Sequence, residues 1–476
     1  MRKIFLLVGF ILIFNSTYAS GFSVSNLIWY HEGNGNNRTS YCVFTLQWDN
    51  AWNNAKNNDA AWVFLKFTRS QSSPRYAFIA KDGVKQVTDH TGKNIKYTIK
   101  ISDDQLGFFI YPSEKYRGNV KLTLRVTMDM EKTGNIGNTT GVTLNAYGIE
   151  MVRIPSGSFF VGEPDSATAR QFQTFYQSDA DGKFKDVFEI KSEEQEIMVG
   201  KGSLYYQATE PQYQGDMSGV VKREFPKGVK GFYSMKYELS QGQYADFLNS
   251  LSPQQTTARS NIGGSMYYQL RGSIVFDGSK YAAEFPSRPC NFLSWDDAMA
   301  YADWAGLRPM TELEFTKAAR GTEKPIANAY PWGTNSKEKL QRLVDANGDL
   351  VFTNDLDESQ LNDNNREQFG ASYYWVMDLA GSLWERVITI GDEKGRGFTG
   401  LHGDGQISYY GSANVNNWPA GIEESGGFGF RGGGFYTHDR SYHEFNPYSP
   451  VSYRRFAAWS GGARVESYGS RFVRTE

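Results

Sequence analysis

Between residue 20 and about residue 145 the apolar positions come in short runs rich in β-branched and aromatic residues: FSVSNLIWY, RTSYCVFTLQW, AAWVFLKF, RYAFIAKDG, IKYTIKIS, LGFFIYP and VKLTLRVTMDM. Clusters of Gly, Asn, Asp and Ser separate them, as turns separate strands. Apolar and polar residues alternate in KYTIKIS and KLTLRVT, the period-two pattern of a strand with one buried face. Runs of this length and spacing predict an antiparallel β-sandwich. The stretch from Asp59 to Lys66 reads as a core strand. Residues 131–148, EKTGNIGNTTGVTLNAYG, read as a closing hairpin and linker, which sets a domain at residues 20–147.

A second unit, residues 148–476, opens with EMVRIPSGSFFVG: a strand, a Pro-Ser-Gly turn and another strand. Residues 163–230 are polar, Gln-rich and weakly patterned, and read as a long insertion with a few short strands. GVKGFYSMKYELS then predicts a strand running into a helix start. Ser240 with Gln243 makes a capping box, and Tyr244, Phe247 and Leu248 form an i, i+3, i+4 apolar stripe. Ser252-Pro253 is expected to close that helix. SWDDAMAYADWAG predicts the next, with Ser294 as N-cap and Asp296 and Asp297 at the positive end of the helix dipole. Those carboxylates read as caps, not catalysts. Gly306 is placed to end the helix. A third helix lies in RPMTELEFTKAARG, where Thr311 and Glu314 form a capping box, Leu313, Phe315, Ala318 and Ala319 pack, and Gly321 is the stop. Beyond Gly321 the pattern breaks into islands: YPWG, DANGD, VMDLAGSLWER, GFGFRGGGF, RRFAAW and YGSRFVR. This predicts long ordered loops around a small sheet, held by internal packing, metal ions or both.

A length of 476 residues exceeds the usual single domain. With 40% hydrophobic and 21% charged residues the chain can build cores and is not disordered. Fifty basic against 52 acidic residues leave no field to attract nucleic acid or an acidic membrane. The 49 Gly, 29 Tyr, 32 Phe and 11 Trp suit a loop-rich fold packed by aromatic rings. At the N-terminus Arg2 and Lys3 precede an apolar run at residues 4–14, and Thr17 and Ala19 stand at −3 and −1. This predicts a signal peptide, residues 1–19, and export to the periplasm, the outer membrane or the exterior. No cysteine follows the run, so no lipid anchor is expected, and no later run reaches the ~18 apolar residues that span a bilayer. Cys42 and Cys290 fall in different units and read as free buried thiols. His31 and His90 read as exposed surface histidines.

RPMTELEFTKAARG, preceded by MVRIPSGSFFVGE, KYELSQGQYADFLN and NFLSWDDAMAYADWAG and followed by YPWG, MDLAGSLWE, FRGGGF and SRFVR, resembles the formylglycine-generating (sulfatase-modifying factor) family. The resemblance covers about residues 149–476. It implies a loop-rich domain of C-type lectin-like fold there; with the N-terminal antiparallel β-sandwich, which lies outside the resemblance, the expected fold class is α+β. Family enzymes bind copper(I) through two cysteines near an RGGS segment and oxidise a substrate cysteine to formylglycine. Here Gly434 stands for the serine, and Thr437 and Tyr442 stand at the cysteine positions. A soft monovalent metal needs soft thiolates, so no copper and no formylglycine chemistry are expected. The iron-dependent branch of the family uses an H-x-x-x-H-x-E pattern that the chain lacks; His438 and His443 form only a spaced pair.

The family's calcium block maps onto Asp378, Gly381, Leu383 and Glu385, with Asn347 matching a second position; carboxylate and carbonyl oxygens suit Ca²⁺. The competing expectation for Glu385 is an ion pair with a core arginine such as Arg431. FRGGGF is not a phosphate loop, because no Lys-Ser/Thr and no helix follow it. With the signal peptide, and with the scaffold motifs intact beside the missing cysteines, the expectation is an exported, non-catalytic binding or scaffold protein of the cell envelope, with a protein or glycan partner. Similar domains occur in gliding- and secretion-associated proteins of Bacteroidetes. The rival is an enzyme using His438, Asp439 and Tyr442 in the same cleft.

Overall fold

The computed structural model describes residues 21–32, 39–69, 72–134, 141–208, 215–260, 264–344, 350–352, 360–362, 364–419, 426–434, 449–461 and 463–476. All seven apolar runs of the N-terminal part form strands. Ser23–Glu32, Thr39–Asn53, Tyr116–Met128 and Ile79–Asp89 make a four-stranded antiparallel sheet in that order. It faces a second sheet across a core of Phe44, Leu46, Trp48, Leu122, Leu124, Val63 and Leu65. The chain is α+β, with a β-sandwich at its N-terminal end.

The second sheet does not stop at the expected boundary. Val142–Ile154 is one 13-residue strand, and it runs straight through residues 147 and 148. On one side it pairs antiparallel with Asp59–Arg69, from Arg69 opposite Val142 to Asp59 opposite Val152. On the other, Met151 to Ile154 pair with Phe232–Met235. Phe472–Thr475 and Arg308–Pro309 extend the same sheet. Eight strands in all, counting Gly107–Pro112, Tyr97–Ile101 and Arg75–Tyr76, thus join the sandwich to the C-terminal part. The expected linker is therefore strand from Val142 onward. Its Gly148 allows a close approach: a Cβ there would meet the Phe22 ring at 2.6 Å.

Asp59–Arg69 is buried without a break from Asp59 to Phe67. Ala61, Val63 and Leu65 face the sandwich core, while Ala60, Trp62 and Phe64 face the C-terminal core. Trp62 Nε1 donates to the Ala305 carbonyl at 3.0 Å, and Phe64 meets Trp304 edge-on at 5.2 Å. A strand covered on both faces has no solvent side, so its apolar run is continuous.

The predicted helices form a third layer: Gln241–Ser250, Trp295–Trp304 and Glu312–Arg320, each with its capping box complete. Ser252-Pro253 does not simply end the first. Ser252 caps a further helix, Pro253–Arg259, with Pro253 at its first position, where a missing N–H costs nothing. The insertion holds a helix, Ser166–Phe172, and a five-stranded sheet ordered Phe184–Asp186, Tyr176–Ser178, Leu204–Tyr205, Ile197–Val199 and Gly219–Val221. Strands of two or three residues carry too little sequence to show a period. After Gly321 the regular framework of the candidate site is a small sheet of Phe428–Arg431, Trp384–Ile388 and Tyr468–Gly469.

Cys42 and Cys290 are both buried and free. His90 is exposed, but His31 is half-buried, with Nδ1 2.7 Å from Ser40 Oγ and its ring against Trp29. Among the described residues no helix is long and apolar enough to cross a membrane.

Candidate functional site

Every residue of Glu312–Arg320 is buried. A charged helix enclosed on all sides must find partners for each charge. Glu314 is chelated by Arg308, with Nη2–Oε1 at 2.6 Å and Nη1–Oε2 at 2.8 Å. Lys317 Nζ donates to the carbonyls of Gly157 at 2.9 Å and Gly228 at 2.6 Å, and burial pushes its pKa down to about 8. Arg320 Nη1 donates to the Gly162 carbonyl at 3.2 Å. Glu312 is the hub. Its carboxylate accepts from Arg454 Nε at 2.7 Å and Nη2 at 3.1 Å, from Arg431 Nη1 at 3.4 Å, from Thr389 Oγ1 at 2.9 Å and from the Ile390 N–H at 2.9 Å. Burial opposes that charge, but Arg454 and Arg431 hold the carboxyl below its usual range. The Arg454 guanidinium in turn lies 3.9 Å from the Phe175 ring centre and 4.1 Å from that of Tyr206, both in the insertion.

The hub holds both the RGGG turn and the segment that follows it. Arg431 opens the RGGG turn, and Arg454 lies in the segment that returns from it. Gly432, at φ 92°, accepts on its carbonyl from the Gly381 N–H at 3.0 Å and the Ser449 N–H at 3.3 Å. Segment 378–385, expected to bind calcium, is thereby held against the RGGG turn. Asp378 and Ser382, at φ 62° and 61°, take left-handed backbone as the loop enters the strand Trp384–Ile388.

Glu385 is not left facing a cation site. Arg471 donates to it twice, Nε to Oε2 and Nη2 to Oε1, both at 2.9 Å, and both side chains are fully buried. Arg431 sits opposite Glu385 in the strand register but bonds to Glu312 instead. Asp378, Gly381, Leu383 and Glu385 in this arrangement therefore do not fit a calcium ion through the Glu385 carboxylate. Leu383 contributes its N–H to Glu238 Oε1 at 2.9 Å. Burial, with the Glu385 charge beside it, pushes the Glu238 carboxyl up to about 8. Asn347 lies outside the described residues. Among the described residues no group of three or more His, Cys, Asp or Glu side chains is placed to hold a metal ion.

Thr437, His438, Asp439, Tyr442 and His443 also lie outside the described residues. The sheet that carries the RGGG turn bears an aromatic cluster: Trp384, Phe430 and Tyr468 are buried, and Tyr453, Phe456 and Trp459 pack on them. Trp384 meets Phe456 edge-on at 5.5 Å. A Cβ at Gly434 would come within 2.7 Å of Trp384 Cδ1, which leaves no room for the serine that the resemblance puts there. Cys42 is in the sandwich core, and Cys290 is buried with its N–H on the Leu239 carbonyl.

Arg471, Glu238 and Arg454 were not singled out from sequence as site-forming residues. The signal was a charge set among apolar neighbours, as with Arg471 beside Phe472-Val473 and Glu238 between Tyr237 and Leu239. Such a charge must find its partner in three dimensions, and nothing local names that partner.

Residues 183–474 match the sulfatase-modifying factor enzyme 1-like domain, a span of more than half the chain. The chain is 24% identical over 216 residues to the formylglycine-generating enzyme of Bos taurus, covering 40% of this chain and 56% of that protein. It is 31% identical over 101 residues to the formylglycine-generating enzyme of Thermomonospora curvata, 21% of this chain and 33% of that one. It is also 32% identical over 134 residues to the inactive C-alpha-formylglycine-generating enzyme 2 of Mus musculus, covering 26% and 40%. The chain thus spans between a third and just over half of the length of these relatives. With the domain matched over most of its C-terminal part and the motif helix buried at the centre of that domain, the chain belongs to the formylglycine-generating, sulfatase-modifying factor family.

Proposed function

We propose that this chain is a non-catalytic member of its family, exported and acting as a binding or scaffold component of the cell envelope, with a protein or glycan as partner. The observation that carries the reading is the replacement of both copper-binding cysteines by Thr437 and Tyr442. Oxygen-dependent oxidation of a cysteine needs a redox metal, and hydroxyl groups do not hold copper(I). The burial of both thiols the chain possesses supports it. So does the presence of a relative named as inactive among the similar proteins. What remains of the family's design is the architecture: a buried charged hub beside an aromatic cluster. A gliding- or secretion-associated role is the finer form of the same proposal.

Peptide turnover tests it. Purified protein supplied with copper(I) and oxygen is incubated with a peptide carrying a sulfatase-type cysteine motif. No aldehyde is the expected result. Aldehyde formation lost in a Tyr442→Phe or His438→Ala variant overturns the proposal and establishes an enzyme working through non-cysteine residues.

A further inference from the structure

We propose that Arg471 is the resident cation of the segment 378–385, taking the place that the family resemblance assigns to calcium. A guanidinium has five N–H donors in a planar fork, and here each has its own oxygen. Nε donates to Glu385 Oε2 at 2.9 Å. Nη1 donates to the carbonyls of Met235 at 2.9 Å and Lys236 at 2.8 Å. Nη2 donates to the Met377 carbonyl at 2.7 Å and to Glu385 Oε1 at 2.9 Å. Two carboxylate oxygens and three carbonyls surround one positive charge that no solvent reaches.

Carboxylates and carbonyls are the donor set of a hard divalent cation, which would draw its oxygens in to about 2.3–2.6 Å. The fork spreads the same kind of donors over a wider plane, and Glu385 has both oxygens on the fork. The consequence is mechanical. Arg471 ties three separate stretches together: the end of Phe232–Met235, the turn at Met377 and the strand Trp384–Ile388. Those hold the loop whose Gly381 N–H rests on Gly432 of the RGGG turn. A cation fixed covalently to the C-terminal strand Phe472–Thr475 does this whatever the calcium concentration outside the cell. The inference stands independently of whether the cleft is catalytic.

The test uses the full chain stripped of metal, melted in chelator and in millimolar calcium chloride. The midpoint is expected to be the same in both. A midpoint raised by several degrees in calcium, with the gain lost in Asp378→Ala, overturns the proposal, since that variant leaves the Glu385–Arg471 pair in place. A gain kept in Asp378→Ala assigns calcium elsewhere and leaves Arg471 as the cation here. Terbium gives a second reading through energy transfer from Trp384. Emission from the wild type is expected to equal that of Asp378→Ala, and an excess in the wild type counts against the proposal. Arg471→Lys keeps the charge with only three donors, so its midpoint is expected below wild type in either buffer; equality would show that the fork does not matter.

Discussion

At the scale of single residues the protein depends on charges placed where water cannot reach them. Glu312 is fully buried, bonded to two arginines, a threonine and a backbone N–H. Removing one partner of a buried ionic cluster leaves the others desolvated and uncompensated, typically a loss of about 3–5 kcal/mol. Glu312→Ala is therefore expected to lower the denaturant-derived stability by an amount in that range, with the segments at Arg431 and Arg454 loosened. A loss below ~1 kcal/mol would mean that the two guanidinium groups find other partners and that Glu312 is not the hub.

At the scale of elements the helix Glu312–Arg320 shows why caps can be read from sequence. Thr311 and Glu314 satisfy one another's backbone N–H groups within four residues, with Thr311 Oγ1 accepting from the Glu314 N–H at 3.1 Å and Glu314 Oε2 from the Thr311 N–H at 3.0 Å. That chemistry is local, so the pattern alone identifies it. Gly321 was legible as a stop for the same reason. Its backbone, at φ 70° and ψ −142°, lies in a region that only glycine occupies easily. What the sequence does not show is that a Cβ there would also lie 2.1 Å from Tyr373 Cδ1. Gly321→Ala is expected to cost about 1–3 kcal/mol from the backbone alone, with a steric loss added. Pairing it with Tyr373→Ala should recover the steric share and leave the backbone share. If the double variant recovers nothing, the Tyr373 ring is not the obstacle.

At the scale of the whole molecule the sandwich and the family domain share one sheet, and the strand between them is buried on both sides. Lys66 on that strand is enclosed with its Nζ 2.9 Å from the Gly405 carbonyl and 4.0 Å from the Tyr76 ring centre. Burial pushes its pKa down to about 7, against the pull of Asp303 and Asp404. Between about pH 7 and its ordinary value of 10.5 the unfolded chain holds a proton here that the folded chain lacks. Stability therefore rises with pH across that window, and below it this contribution is flat. Asp303, pushed up to about 6 by burial, gives the opposite slope between 3.8 and about 6, outside the window. Between about pH 8.5 and 10, above the range in which the raised Glu238 carboxyl titrates, urea unfolding is expected to show a steeper rise in the wild type than in Lys66→Met. Equal slopes in the two proteins would place the proton elsewhere.

The sequence by itself determined the strands of the sandwich, the three capped helices and the family, because alternation, capping boxes and motif blocks are written in neighbouring residues. It also displayed Thr437 and Tyr442 where copper-binding cysteines would be. Only the tertiary structure decided that the linker after residue 141 is a strand in a sheet common to both parts. Gly148 within that strand is required by the Phe22 ring above it. Only the tertiary structure, too, paired Glu385 with Arg471, 86 residues away, and not with Arg431 across the strand. A buried charge announces in the sequence that it needs a partner. Which partner it takes is set by what the folded chain brings within hydrogen-bond distance, and no local pattern encodes that.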